Sequence, residues 1–302
     1  MTIALHDPTC DLDMSIRMPG WITSARHEAI EEASFLSGAA LSHLHNVLAR
    51  GKVPQALLRT RLALRASEAS MIPSGRSERA GELRDAIAFL QPGDLPGPAG
   101  AVCLSWQRAV ERPVSVKALH RALPQLDSDR IATWLDDGQP RGAGQGAPVP
   151  RAAAVLQSVL EDHPRDHAAA LILAEAGLAR ALRWDHIVPL LTLGLKRADL
   201  KKTGEEMRLA CHRAIGVAAI DAVREAADLT RRATRLREVA PRLRAKGAEA
   251  AVALFLARDA VAPTALTSLR SDRAARRFCD RLVDLGVVRE LTGRDTFRLY
   301  GL

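Results

Sequence analysis

Residues 271–302 read SDRAARRFCDRLVDLGVVRELTGRDTFRLYGL, and they decide how the end of the chain folds. At about 100° per residue, Ala275, Phe278, Cys279, Leu282 and Leu285 fall within one arc of roughly 120°. Arg273, Arg276, Arg277, Asp280, Arg281 and Asp284 fill the opposite arc. The pattern predicts a helix with one buried side and one charged side. Ser271 suits the N-cap and Gly286 the C-terminal stop. Two short apolar segments, 287–291 and 296–300, then flank Thr-Gly-Arg-Asp. They are expected to pair as strands around a turn at Gly293, with Arg294 at the tip and Arg298 on the return.

Working outward, residues 247–261 predict an amphipathic helix and 263–269 a short second one. Helix, short helix, basic helix, two-stranded ribbon is the layout of a winged helix-turn-helix. In that layout the N-terminal half of the third helix enters the major groove, and the ribbon tip reaches backbone or minor groove. The candidate DNA-binding residues are therefore Arg273, Arg276, Arg277, Arg281, Arg294 and Arg298. The same module also docks proteins. Asp272, Asp280 and Asp284 stand at helical spacing from Arg276, Arg277 and Arg281. Such exposed pairs are worth only about 0.2–0.5 kcal/mol each, too little to keep an arginine from a phosphate.

The charge distribution points the same way. Residues 231–302 hold 16 Lys/Arg against 8 Asp/Glu, which equals the whole formal net charge of +8. Residues 1–230 balance at 27 and 27. A localised basic field is the footprint of a polyanion or an anionic surface. A chain of 302 residues with 47% hydrophobic and 26% charged residues can bury a large core. Aromatics are 3%, and Ala, Leu and Arg dominate, so a mainly all-α body is expected.

Helices are predicted over roughly 26–50, 54–70, 76–90 and 99–110, with Pro54 in a first turn and QPGDLPGPAG at 91–100 as a rigid loop. Residues 113–138 predict two short helices, the first capped by Ser115 and stopped by Pro124, the second ended by Gly138. This pair also has a helix-turn-helix outline, but Asp129, Asp136 and Asp137 would repel phosphate, so packing is the expected role. GQPRGAGQGAPVP at 138–150 is the clearest linker. Further helices are expected over 149–162, 166–183 and 186–198, then a long one from Gly204 to Val239 ended by Pro241. The domain plan is a loose N-terminal arm at 1–25, an N-terminal helical lobe at 26–137, the linker, a second helical lobe at 151–240, and the winged module at 247–302.

Few constellations suggest chemistry. His43 and His45 lie two apart on a helix and diverge by about 200°. Asp162, His163, Asp166 and His167 are dense, but Pro164 interrupts them and zinc needs three or four converging ligands. Cys211 and His212 are adjacent and face different ways. Arg61, Arg65 and Glu68 share a helical face that could line an anion site or form a surface ladder. No nucleophile elbow, phosphate-binding glycine loop, dinucleotide fingerprint or HExxH is present. No catalytic residue, cofactor or metal is therefore expected, and an enzyme pocket in 26–240 is the least favoured alternative. Cys10, Cys103, Cys211 and Cys279 are unpatterned, which suits reduced thiols in a cytoplasmic protein. The start lacks a signal-peptide pattern, and AAALILA (168–174) and AVALFLA (251–257) are too short to span a bilayer, so no membrane association is expected.

The tail, Arg273 to Gly301, resembles the winged-helix ending of several alphaproteobacterial proteins, including some Fic-type proteins, with the pattern RAARR-x-x-DRLV-x-LG-x-VRELTGR-x-TFRLYG. The Fic motif HPFxxGNGR is absent, so AMPylation is not implied. Nearly the whole chain resembles domain-of-unknown-function family 1403, through EEASFLSGAALSHLHNVLAR (31–50), VPQALLRTRLALRASEA (53–69), PGDLPGPAG (92–100), RPVSVKALHRALPQLD (112–127), WDHIVPLL (184–191) and the tail. That resemblance implies no activity. The expected function is thus DNA binding, with regulation as a role and double-stranded DNA as partner. A helical adaptor whose winged helix docks a protein, or a homodimer, is the alternative.

Overall fold

A computed structural model describes residues 17–24, 28–91, 93–137, 147–294 and 296–302. Among them are thirteen α-helices and one two-stranded sheet. The helices are α1 (Gly20–Ser24), α2 (Ile30–Ala49), α3 (Gln55–Met71), α4 (Ala80–Ala88), α5 (Gly97–Glu111), α6 (Val116–Ala122), α7 (Ser128–Asp137), α8 (Pro148–Asp162), α9 (His167–Ala181), α10 (Leu191–Gly194), α11 (Gly204–Val239), α12 (Ala248–Ala257) and α13 (Asp272–Asp284). The strands are β1 (Arg289–Glu290) and β2 (Tyr300–Gly301), which pair antiparallel with Arg289 opposite Gly301. The expected mainly helical class holds.

The centre of the molecule is built from small residues. α11 is 36 residues long, about 54 Å at the standard rise. Its buried stripe includes Ala210, Ala214, Ala218, Ala222, Ala226 and Ala233. α2 lies along it and contributes Ala33, Ser37 and Ala40. Small side chains on both faces let the two helices approach closely. α9 is buried on every side from Ala169 to Ala179, which explains its uninterrupted apolar run. It pairs with α8, where Gly177 faces Val155.

One continuous apolar cluster runs from Ile22 to Leu302, drawing on residues before the expected linker, after it, and in the tail. A small satellite holds Leu64, Met71, Leu83 and Cys103 under α4. Residues 1–16 of the expected arm and 138–146 of the expected linker lie outside the described residues. At the arm's end, however, α1 buries Ile22. The linker's last residues, from Pro148, already belong to α8, with Pro in the first turn where no N–H is needed.

Several boundaries match their signals. The Ser115 side chain accepts the Ala118 N–H, and Ser271 accepts that of Ala274. Gly286 adopts φ 68° just past α13.

The expected helix over 186–198 does not form. Residues 185–190 are irregular, α10 covers only one turn, and a 3-10 turn occupies Asp199–Lys201. The cause is Glu175, on α9. Its Oε1 accepts the N–H groups of Leu190 at 2.8 Å and Thr192 at 3.0 Å, and the Thr192 hydroxyl at 3.2 Å. This buried carboxyl caps α10 and draws the preceding backbone out of helical register. α10 is also pressed on α11, since a Cβ on Gly194 would sit 2.2 Å from the Ala214 carbonyl oxygen.

The tail differs from expectation in its second helix and in its strands. The short helix expected at 263–269 is a single 3-10 turn, Pro263–Ala265, that buries Leu266 and Leu269 just beyond it. The strands shrink to two residues each, and Val261 adds a bridge by exchanging both backbone hydrogen bonds with Tyr300, at 2.8 and 3.0 Å.

Candidate nucleic-acid interface

The tail is built around α13. Ala275, Phe278, Cys279 and Leu282 are buried, as the wheel predicts, and belong to the same apolar cluster as Phe255, Val261, Val288 and Tyr300. Leu285 departs from the predicted arc. It lies at the C-cap and is exposed. Arg273, Arg276, Arg277 and Arg281 are all exposed on the opposite side. Among the described residues, no ion pair joins these four to a carboxylate. Asp280 accepts the Tyr300 hydroxyl at 3.4 Å instead. The face is therefore basic in its N-terminal half and mixed further on.

The turn after β1 is organised by Glu290. Its carboxylate accepts the N–H groups of Thr292 at 2.8 Å and Gly293 at 2.9 Å, and also the Thr292 hydroxyl. Burial works against its charge, but these hydrogen bonds hold its carboxyl below the ordinary 4.5.

The turn leans on the helical body. Arg84 of α4 donates to the Leu291 carbonyl at 3.2 Å. Arg294 lies 3.6 Å from Asp85, which also pairs with Arg84 at 3.3 Å. Phe297 meets Phe89 edge to face, with ring centroids 5.6 Å apart. Phe297 has φ 57°, a left-handed conformation costly for an aromatic residue, and is 72% exposed. Arg298 donates through Nε to the Arg294 carbonyl at 3.0 Å. The six predicted arginines thus divide. Four stand clear on α13, while Arg294 and Arg298 sit on a turn seated against α4. A groove of about 560 Å³ runs between Arg276 and Arg298.

Two further cations escaped sequence reasoning. Arg235 of α11 and Arg289 of β1 line one shallow groove beside Gly286. Neither pairs with a carboxylate among the described residues, whereas Arg232 in the same groove is held by Asp228 at 2.7 Å. Their signal was present only as part of the charge excess beyond residue 230.

The other constellations resolve as structural contacts. Arg61 forms no surface ladder. It binds Asp259 at 2.8 Å, Glu225 at 3.1 Å and the Leu302 carbonyl at 3.0 Å. Asp162 accepts from Trp134 at 2.8 Å and from Arg130, and Asp166 caps α9 through the Ala169 N–H. His45 accepts the Trp184 indole N–H at 2.9 Å. His212 bridges α11 to α2, with Nδ1 2.7 Å from the Ser37 hydroxyl and Nε2 3.2 Å from that of Ser34. The Ser37 hydroxyl donates to the Ser34 carbonyl, so Nδ1 carries the proton and Nε2 accepts. Cys103, Cys211 and Cys279 are free and buried, and burial pushes the last two thiols up to about 12. Among the described residues no group of three His, Cys, Asp or Glu could hold a metal ion, and no helix is long and apolar enough to cross a membrane.

The chain belongs to the family described as protein of unknown function (DUF1403), whose model matches residues 7–302. No curated protein matches it.

Proposed function

We propose that this chain binds double-stranded DNA through a winged helix-turn-helix spanning residues 247–302. The observation that carries this is the exposed, unpaired run Arg273, Arg276, Arg277 and Arg281 on a helix that buries Ala275, Phe278, Cys279 and Leu282 on its other side. The element order supports it. α12, the Val261 bridge, the 3-10 turn, α13, β1 and β2 follow one another as helix, bridge, turn, basic helix and paired strands.

In this proposal the N-terminal half of α13 lies in the major groove, with Arg273, Arg276 and Arg277 toward bases and phosphates. Arg281 and Arg298 bind the backbone. Arg294 contributes less, because Asp85 competes for it. Arg235 and Arg289 add cations in the groove beside Gly286, just past the C-terminal end of α13.

The test is a duplex-binding titration of the full chain at several salt concentrations. Four neutralised phosphates predict a slope of log K against log salt near about −3.6. Affinity that does not change with salt would refute the proposal.

The alternative is a protein-docking role, as an adaptor or homodimer. It is favoured by Phe297 on the wing and by the exposed Trp21–Phe35 stack, with centroids 5.7 Å apart. A stoichiometric partner recovered after nuclease treatment, with no duplex binding, would select it.

A further inference from the structure

A cavity of about 590 Å³ opens where the helical body meets the tail. It lies between α3, α4, α5 and residues 257–260. Four arginines line it, Arg59, Arg84, Arg108 and Arg258. Leu64, Ile87 and Val110 supply apolar wall.

We infer that this cavity binds a small organic oxyanion, a carboxylate or phosphate carried on an apolar body. The volume lies within the range of ligand sites, and an apolar wall with a few convergent polar groups is their usual composition. Arginine forks match both oxyanions in a bidentate manner.

The charge balance favours an anion over water alone. Two carboxylates also line the cavity, Glu111 and Asp259. Asp259 is already taken by Arg61. Among the described residues, Arg59, Arg108 and Arg258 have no carboxylate partner. Arg59 is half-buried and donates only to the Val110 carbonyl, at 3.3 Å. Burial accordingly lowers its pKa from the ordinary arginine value, as expected of a cation without a counterion. An oxyanion would supply one.

The position gives binding a consequence. Residues 257–260 lead directly into Val261, which pairs with Tyr300, and the Asp259 carbonyl packs tightly on Gly301. Arg84 belongs both to the cavity wall and to the contact that holds Leu291. An anion here therefore braces the joint between body and wing. The inference does not depend on duplex binding.

The test uses the full chain, with phenyl phosphate and benzoate as probes. Thermal unfolding is followed at rising probe concentration against sodium chloride of equal ionic strength. A saturable rise in midpoint with at least one probe is expected, and the probe that acts identifies the oxyanion. The double variant Arg108→Gln/Arg258→Gln, at two exposed and unpaired positions, should bind that probe about tenfold more weakly or worse. Arg276→Ala/Arg277→Ala should bind it unchanged, which separates this site from the α13 surface. Phenylglyoxal labelling of the unsubstituted chain reads the same site without any variant. Bound probe should protect Arg108 and Arg258 but leave Arg273 reactive. No saturable shift with either probe, or labelling of Arg108 and Arg258 that ignores the probe, would overturn the inference.

Discussion

Arg61 Nε lies 2.8 Å from Asp259 Oδ1, joining α3 to the segment that enters the tail, 198 residues away. The same guanidinium reaches Glu225 of α11 and the carbonyl of the last residue. Burial opposes its charge, but Asp259 and Glu225 outweigh that and raise its pKa above the ordinary arginine value. One side chain thus ties the body, the long helix and the tail together.

Arg61→Met should destabilise the chain by about 3–5 kcal/mol, because Asp259 would be left buried without its partner. Urea unfolding measures the loss. Arg61→Lys should recover little, since one ammonium cannot serve three separated acceptors in fork geometry. Full stability in Arg61→Lys would argue against the three-way clamp.

Glu175 predicts an alkaline weakness. It is 1% exposed, Oε1 takes three hydrogen bonds, and Oε2 has no partner. Burial raises its pKa to about 7 from the ordinary 4.5, despite the hydrogen bonds from Thr192 and Leu190 that favour the charged form. The folded chain therefore binds a proton more tightly than the unfolded chain. This contribution is full below about pH 4.5 and is lost as pH rises through about 7. It is worth about 3 kcal/mol. Glu175→Gln should remove that part of the pH dependence and be more stable than the parent at pH 8, as read by denaturant midpoints.

His212 has the opposite sign. Burial first, and then Arg208, lower its pKa from 6.5. Stability from the neutral ring is full above about 6.5 and is lost as pH falls below it. Nε2 must be unprotonated to accept from the Ser34 hydroxyl, so acid breaks that contact while Nδ1–H can still donate to Ser37. Ser37→Ala should cost about 1–3 kcal/mol by leaving Nδ1–H buried and unpaired. His212→Gln should flatten the stability profile between pH 6.5 and 5, and an unchanged profile would count against this assignment.

Arg276→Ala/Arg277→Ala should leave the unfolding midpoint within about 0.5 kcal/mol of the parent, as both positions are exposed and unpaired. Duplex affinity should fall, and the salt slope should become shallower by about 1.8 if both arginines neutralise phosphates. Fluorescence anisotropy across salt concentrations reads both quantities. An unaltered slope would remove these two residues from the proposed interface.

Asp85→Asn tests the turn after β1. It takes away the carboxylate 3.6 Å from Arg294 and frees that cation for DNA. The salt slope should steepen by about 0.9 and affinity should rise severalfold at low salt. A lower affinity would mean that the turn must stay seated on α4 in order to bind.

Local chemistry in the sequence determined the helical character of this protein and most of its element positions. Ser115, Ser271 and Gly286 act through their own backbone neighbours, so their roles were legible from residue type alone. The buried and charged sides of α13 follow from angular spacing and are likewise local. Contacts between distant residues were not legible. The extended path through 185–190 depends on a carboxyl on another helix, and helix propensity cannot register a cap delivered from 15 residues away. The placing of Arg294 beside Asp85 depends on α4 meeting the turn, across 209 positions of sequence. Sequence therefore decided which arginines stand on the surface of α13. Only the tertiary structure decided which cations have counterions, because pairing is set by distance in space, and that distance exists only once the core has closed.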